Sequence, residues 1–280
     1  MDKYIDLHTH TTSSDGLLEP AELIKTAASI GLSAIAITDH DTIDGIYKAK
    51  EEALKYNIEL INGIELSAES SYNSHILGYF VDIENNIFKS KLKTISDKRL
   101  SEIIKVFSCL RKLDIKISPN EVVKQFGALS INGIAKTMCL KGYTDSTDEA
   151  FHKYLSVNRP AYVKKSNLTP KEAIELIKIA NGIAVLAHPC RLGVEESKFL
   201  EILEELISYG LDGIEVFHCD QKNYGYYKKI ATQYDLILSG GSDFHGDGTS
   251  ALGEANNNKK IMYEILNSLK KYYRLHYHIK

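Results

Sequence analysis

Short apolar runs alternate with amphipathic stretches of helical period along most of this 280-residue chain. The apolar runs predict strands at residues 4–7, 34–37, 58–66, 75–81, 183–187, 213–217 and 236–239. Helices are predicted between these strands or after the last one, at residues 20–30, 43–56, 172–180, 198–209, 223–234 and 261–272. Repeated strand–helix units are typical of an α/β fold with a mostly parallel sheet, and enough units can close into a barrel.

Residues 89–155 interrupt this alternation, because they show helical periods and no convincing strand. Helices are predicted there at residues 91–113, 119–126, 134–140 and 148–155. We therefore expect a barrel domain formed by residues 1–88 and 156–280, with residues 89–155 as a helical insertion domain between two of its strands.

The composition excludes several classes of protein. With 44% hydrophobic and 25% charged residues, the chain is typical of a globular protein rather than a disordered one. Its formal net charge of −3 gives no overall basic field for nucleic-acid backbones. No apolar run approaches the roughly 20 residues of a bilayer span, and the start of the chain lacks the apolar core of a signal peptide. We therefore expect a cytoplasmic protein that does not bind membranes. The four scattered cysteines form no CxxC pair, which disfavours a disulfide framework and a thiolate zinc site.

Histidines and carboxylates lie at the ends of the predicted strands. In a parallel α/β barrel the carboxyl ends of the strands meet on one face, so ligands distant in sequence meet in space. His8 and His10 lie two residues apart on an extended segment and project to the same side. The other candidates are Asp15, Asp39, His40, Asp41, Glu65, His75, His188, Glu215, His218, Asp243 and His245.

A single histidine at a strand end is more often a surface residue than a ligand, but here five strand ends carry one. The set as a whole therefore predicts a metal site, and imidazole together with carboxylate suits zinc, iron or manganese. Asp41 is a weaker candidate, because it precedes a predicted helix and a capping role is an adequate alternative.

Seven short motifs occur in one order over nearly the whole chain. They are Asp6-Leu7-His8-Thr9-His10, Ser14-Asp15-Gly16, Thr38-Asp39-His40-Asp41-Thr42, Gly63-Ile64-Glu65, His75-Ile76-Leu77-Gly78, Ala187-His188-Pro189 and Gly241-Ser242-Asp243-Phe244-His245-Gly246. In these motifs the chain resembles the PHP (polymerase and histidinol phosphatase) superfamily of metal-dependent phosphoesterases. The third motif and the helical insertion are similar to the branch of nucleotide-bisphosphate phosphatases and 5′–3′ exoribonucleases, and less similar to the histidinol phosphatase branch.

The resemblance implies a distorted seven-stranded (β/α) barrel, similar to a TIM barrel, with a helical insertion and three divalent metal ions. Manganese, iron and zinc are all associated with the family, and the sequence does not choose among them. Bound ions imply that a metal-activated water is the nucleophile, so the nine residues that hold the ions would also carry catalysis. By position, the first ion would take His8, His10, Glu65 and Asp243, the second Glu65, His75 and His188, and the third Asp15, His40 and His245.

Three further residues are predicted to bind substrate: Arg191, His218 and Arg159. In the family an arginine at the place of Arg191 is associated with the substrate phosphate; a surface ion pair with a nearby glutamate is the alternative. Relatives often carry an Arg-Pro-His-type segment in the insertion, whereas this chain has Ser130-Ile131-Asn132 there. Arg159 and Lys136 are candidates to replace the missing cation, although an exposed surface position is the favoured reading of both.

The leading hypothesis is a hydrolase: a metal-dependent phosphoesterase that releases phosphate from nucleotides, of the AMP or 3′,5′-bisphosphate type, or from short 5′-phosphorylated RNA. The alternative is a phosphatase of a small metabolite such as histidinol phosphate. A metal-stabilised binding or proofreading module that serves a larger partner is disfavoured, because the ligand set is complete and no obligate protein partner is evident. An ordinary TIM-barrel amidohydrolase is disfavoured too, because no metal-bridging lysine follows a middle strand.

Overall fold

Seven strands form one sheet in which neighbours along the chain are also neighbours in space. The computed structural model describes residues 2–126, 129–164 and 166–277. The predicted α/β class is confirmed, and the sheet is mostly parallel as predicted. The strands are β1 (Tyr4–Asp6), β2 (Leu32–Ile37), β3 (Glu59–Glu69), β4 (Asn73–Tyr79), β5 (Ile183–Leu186), β6 (Gly213–Phe217) and β7 (Ile237–Gly240).

One strand, β4, runs against the direction of the others. It pairs antiparallel with both β3 and β5, whereas the remaining neighbours pair in parallel. The connection between β3 and β4 spans only residues 70–72, which is too short for a parallel crossover. The amino end of β4 consequently lies beside the carboxyl ends of β3 and β5, and His75 faces Ser67 across the ladder.

Ten helices lie in the described part of the chain. They are α1 (Pro20–Ser29), α2 (Asp44–Lys55), α3 (Asn86–Lys112), α4 (Pro119–Phe126), α5 (Ile131–Leu140), α6 (Thr147–Ala150), α7 (Pro170–Ile179), α8 (Glu196–Ser208), α9 (Tyr224–Gln233) and α10 (Tyr263–His276). None of them combines the length and apolarity that a crossing of the bilayer requires.

The main hydrophobic core lies between the sheet and the helices that connect its strands. Strands β2 and β5 are buried along nearly their whole length, as expected for strands covered on both faces. The connecting helices bury one apolar face each; α7, for example, buries Ala173, Ile174 and Ile177. This helix begins with a capping box, in which Thr169 and Glu172 each bond the other's backbone N–H group.

A second, separate hydrophobic cluster lies in the helical middle of the chain. It contains residues of α3, α4 and α5, including Phe107, Val122 and Ile134. The first turns of α3 pack instead on the main core through Phe88 and Leu92. Helix α3 therefore joins the two clusters, while the exact domain boundaries at residues 89 and 155 stay a prediction.

One predicted helix differs from the structure. The helix expected at 148–155 is a four-residue α6 followed by a single π-helical turn, Phe151–Leu155. After β7, Asn256–Asn258 form the turn of a small hairpin of β8 (Glu254–Ala255) and β9 (Lys259–Lys260). Asn257 and Asn258 have φ values of 60° and 56° there, a conformation that asparagine tolerates better than most residues.

Candidate metal centre

The segment that follows β1 brings His8 and His10 into one buried cluster with Glu65 and Asp243. Both imidazoles are fully buried. His8 Nε2 lies 3.2 Å from Glu65 Oε2 and 3.3 Å from Asp243 Oδ1. His10 Nε2 lies 3.2 Å and 3.1 Å from the same two oxygens. Two nitrogens and two oxygens from three distant segments thus face one point.

Glu65 lies at the centre of the nine predicted metal ligands, which together form one constellation. Its two carboxylate oxygens face different histidines. Its Oε1 lies 2.9 Å from both His75 Nδ1 and His188 Nε2. Its Oε2 faces His8, His10 and also His40, whose Nδ1 is 3.1 Å away. The reversed direction of β4 brings His75 to this end of the sheet. A carboxylate in this position can bridge two cations.

A third group lies on the open side of His10. Asp15 Oδ1 is 3.4 Å from His245 Nε2 and 3.8 Å from His10 Nδ1, and Asp15 Oδ2 is 3.9 Å from His40 Nε2. The backbone brings these segments together, since His10 N–H donates to the carbonyl of Phe244 over 2.9 Å. Asp15, His40 and His245 are only partly buried, so this group is the most accessible of the three.

All nine residues predicted to bind metal lie in this one constellation. Their donor atoms are imidazole nitrogens and carboxylate oxygens, which suit divalent first-row metals. Several of these atoms are buried and, although they lie close to one another, do not have the geometry of hydrogen bonds. Such atoms are costly unless a cation or proton satisfies them. The unpartnered atoms of the constellation are His8 Nε2, His10 Nε2, Asp15 Oδ1, His40 Nδ1 and Glu65 Oε2. The residues present therefore fit a multi-metal site.

The pKa shifts of these residues also favour the binding of cations. Burial alone would raise the pKa of Glu65, but the imidazoles of His8 and His40 hold it well below its usual range. Burial would lower the pKa of His8, whereas Glu65 and Glu215 raise it to about 10. For His40, burial prevails and lowers the pKa to about 3. The buried carboxylates thus demand positive charge, which protons or metal ions can supply.

Two further buried carboxylates hold the ligand-bearing segments without facing the cluster centre. Glu215 Oε1 lies 3.0 Å from His8 Nδ1, and its Oε2 accepts from the backbone N–H of His188 over 2.8 Å. Asp6 accepts from the N–H groups of His8, Ser242 and Gly253 and from the Ser242 hydroxyl. Asp6 thereby connects β1 to the segment after β7.

Asp39 has the same kind of role in the turn that carries Asp15. It accepts hydrogen bonds of 2.7 Å from the backbone N–H of Thr11, the Thr11 hydroxyl and the Ser14 hydroxyl. Asp39 and Glu215 are among the strand-end candidates of the sequence, but their roles become visible only in the structure. The role of Asp6 also becomes visible only there, although a carboxylate inside a buried apolar strand is a recognisable signal.

The segment after β7 can approach the segment after β1 only because residue 241 is a glycine. A Cβ atom on Gly241 would lie 2.2 Å from Cβ and 2.3 Å from the backbone nitrogen of His8. No side chain fits between these segments. The glycine therefore allows Asp243 to reach the two histidines that follow β1.

Of the three residues predicted to bind substrate, two lie at the constellation. Arg191 Nη1 donates to Asp243 Oδ2 over 2.5 Å, and its Nε and Nη2 each lie 2.7 Å from Asp220 Oδ2. His218 is fully buried, with Nε2 3.6 Å from Asp243 Oδ2. Arg159 is exposed and is absent from the described lining of the cavity beside the site, so its role stays a prediction.

A cavity of about 530 Å³ opens beside the constellation, between the carboxyl end of the sheet and the helical middle of the chain. Asp15, His40 and His75 form part of its wall. Apolar side chains of α3, α5 and the π-helical turn form another part, namely Ile103, Val106, Ile131, Phe151 and Leu155. A cavity of this size and mixed character is typical of a site for a small organic ligand.

Known proteins are similar to this chain in sequence and in fold. The sequence profile of the PHP domain family matches residues 6–274. A 5′-3′ exoribonuclease of Haemophilus influenzae is 33% identical over 254 residues, which are 88% of this chain and 91% of the relative. A 3′,5′-nucleoside bisphosphate phosphatase of Chromobacterium violaceum is 29% identical over 250 residues, 87% of this chain and 88% of the relative. A solved amidohydrolase structure from Chromobacterium violaceum, with sulfate and no metal, has a TM-score of 0.85 at 28% identity and covers 96% of both chains.

Proposed function

Because this chain belongs to the PHP domain family, we propose that it is a metal-dependent phosphoesterase that hydrolyses phosphate esters of nucleotides or of short 5′-phosphorylated RNA. The predicted resemblance to this family is confirmed, as is the general class of phosphoester hydrolase that its named relatives share. The observation that carries the proposal is the convergence of nine residues with nitrogen or oxygen ligand atoms, with Glu65 at their centre, beside a cavity large enough for a nucleotide.

Three sets of side chains would hold divalent ions. The proposed sets are His8, His10, Glu65 and Asp243; Glu65, His75 and His188; and Asp15, His40 and His245. Distances among the donor atoms support all three, and His10 and His40 lie close enough to contribute to neighbouring sets. When bound, such ions would neutralise phosphoryl oxygens and lower the pKa of a water molecule so that it can attack at neutral pH. Manganese, iron and zinc all suit these ligands.

The chain's own residues position these ligands. Glu215 accepts at His8 Nδ1, which fixes the tautomer and leaves Nε2 directed at Glu65 and Asp243. Asp6 and Asp39 fix the backbone of the ligand-bearing segments through buried hydrogen bonds. Arg191 offers a planar guanidinium at the edge of the site, where it can bind a phosphoryl oxygen.

Closure of the sheet into a distorted seven-stranded barrel is part of the same proposal. Backbone hydrogen bonds between the first and last strand regions support it: Leu7 N–H donates to the carbonyl of Gly240 over 3.3 Å, and Phe244 N–H donates to the carbonyl of His8 over 3.3 Å. A closed barrel would place all the strand-end ligands around one axis.

A substrate panel tests the proposed function. The manganese-loaded protein is assayed for phosphate release from a nucleoside 3′,5′-bisphosphate, AMP, histidinol phosphate and a 5′-phosphorylated RNA trinucleotide. We expect preference for the nucleotides and RNA, and a loss of about 10²–10³-fold or more in His10→Ala and Asp243→Ala. His276→Ala is the matched control, since His276 is exposed on α10. Preference for histidinol phosphate would overturn the substrate assignment, and wild-type turnover in both variants would overturn the metal centre.

A further inference from the structure

The cavity beside the metal centre contains one cationic side chain other than histidine among its described lining residues, and this is Arg99 of α3. Nothing in the sequence distinguishes it from the other charged residues of this helix. The insertion lacks the Arg-Pro-His-type segment that the family resemblance leads one to expect, and Ser130, Ile131 and Asn132 line the cavity there. The position of Arg99 gives the cavity a cation from a different helix.

Arg99 is held in place by a buried carboxylate. Its Nη2 pairs with Asp41 Oδ2 and lies 3.3 Å from the hydroxyl of Ser67. Asp41 is only 4% exposed, and it also accepts from the backbone N–H and the hydroxyl of Ser67. The guanidinium is therefore oriented before any ligand arrives, which lowers the entropic cost of binding.

The remaining donors of Arg99 are available to a ligand. Its side chain is 37% exposed, and within the described part of the chain no hydrogen bond is made by Nε or Nη1. A guanidinium that is anchored at one nitrogen can present two others to a phosphate in a bidentate arrangement. The two glutamates in the cavity wall are already engaged, since Glu69 accepts from Asn167 and Glu102 accepts from the backbone of Ser166.

Strand β3 sets the distance between Arg99 and the metal centre. Glu65 and Ser67 lie two residues apart on β3, so their side chains project from the same face, about 6.6 Å apart along the strand. His75 lies directly opposite Ser67 on β4. A phosphate at the metal centre and an anion at Arg99 would thus be separated by roughly the reach of one sugar ring.

We propose that Arg99 forms a second anion subsite, which binds a second phosphate on the same substrate and selects nucleotides that carry two phosphate groups on one ribose. This inference deepens the proposed function and rests on it. Arg99 acts here in substrate binding, while the phosphate that is hydrolysed lies at the nine predicted ligands, which have Glu65 at their centre. Asp41, which the sequence suggested as a weak ligand candidate, serves as the anchor of Arg99 instead.

The test compares a nucleoside 3′,5′-bisphosphate with the 5′- and 3′-monophosphates of the same nucleoside. Arg99→Gln removes the charge and keeps a side chain that can bond Asp41. We expect the ratio of kcat/KM for the bisphosphate to that for either monophosphate to fall about tenfold or more, which is the effect of losing a hydrogen bond to a charged group. Arg111→Gln, an exposed position on the same helix, is the matched control and should keep the wild-type ratio.

Equilibrium binding separates failure of this subsite from failure of the proposed function. Calorimetric titration of the wild-type protein with phosphonate analogues of the same three nucleotides, which cannot be hydrolysed, should show tighter binding of the bisphosphate analogue, and Arg99→Gln should remove the difference while the thermal unfolding midpoint stays near that of the control. Equal binding of all three nucleotides by the wild-type protein, or an unchanged preference in Arg99→Gln, would overturn the subsite. Selective binding without any hydrolysis would support the subsite and overturn the proposed phosphoesterase activity.

Discussion

Glu215 Oε1 lies 3.0 Å from His8 Nδ1, on the opposite side of the imidazole from the nitrogen that faces Glu65 and Asp243. Both side chains are fully buried. A carboxylate in this position fixes the tautomer of a ligand histidine and increases its basicity. The second oxygen of Glu215 binds the backbone of His188, so one side chain orients ligands after two different strands.

Glu215→Gln should therefore weaken metal binding without removing a ligand. We expect a loss of about 10–100-fold in affinity, because an amide is a weaker acceptor and supplies no negative charge. Competition between the protein and a chromophoric chelator for manganese measures this affinity. Glu201→Gln, an exposed glutamate on α8, is the control. Wild-type affinity in Glu215→Gln would show that His8 is oriented by packing alone.

Arg191 should contribute to catalysis through its geometry as well as its charge. It bonds both Asp243 and Asp220, so its planar group is held at the edge of the metal centre. We expect Arg191→Ala to lower kcat/KM about 10²–10³-fold, as for other single donors to a developing oxyanion. Arg191→Lys should recover little of this loss, because an ammonium lacks the bidentate fork. A full recovery by lysine would show that charge alone is needed; Lys198→Ala on the exposed start of α8 is the control.

The convergence of the candidate ligands on one face was predictable from one physical rule, whereas their division into three metal-binding sets comes from the family resemblance and stays a prediction. Strands of a parallel sheet end on the same face, so His8, His40, Glu65 and His188 had to approach one another once the strands were recognised. The position of His75 can be predicted less directly, because His75 lies at the start of its strand and not at the end. The three residues between β3 and β4 force an antiparallel turn, which brings the start of β4 to the same face.

Other parts of the site could not be predicted, because they depend on contacts between distant segments. Asp6 binds the backbone of Ser242 and Gly253, and nothing near Asp6 in the sequence indicates these partners. Arg99 lies among several charged residues of a long helix, where the sequence cannot show which one faces the cavity. The packing of α3 across the end of β3 selects it.

The contact between Gly241 and His8 predicts a sensitive backbone position. In Gly241→Ala the new methyl group would lie 2.2 Å from Cβ of His8, so the segment after β7 must move away from β1. We expect a loss of several kcal/mol in the free energy of unfolding, as for other overpacked sites, together with weaker metal binding. Denaturant unfolding of the metal-free protein measures the first effect. Gly225→Ala on α9, where a Cβ atom has room, is the matched control.

The capping box of α7 predicts a pH dependence that is separate from the metal centre. Hydrogen bonds from the backbone and hydroxyl of Thr169 lower the pKa of Glu172 below its ordinary value of 4.5. A carboxylate whose pKa is lower in the folded state stabilises the protein above its unfolded-state pKa, and this stabilisation is lost as the pH falls through the folded-state value. Because Glu172 is exposed, solvent limits the effect, and we expect Glu172→Gln to cost about 0.5 kcal/mol at pH 7. The difference from wild type should shrink as the pH falls below 4.5. Denaturant unfolding of both proteins across this pH range measures it, and a difference that stays constant with pH would show that the charge of Glu172 is not what stabilises the start of α7.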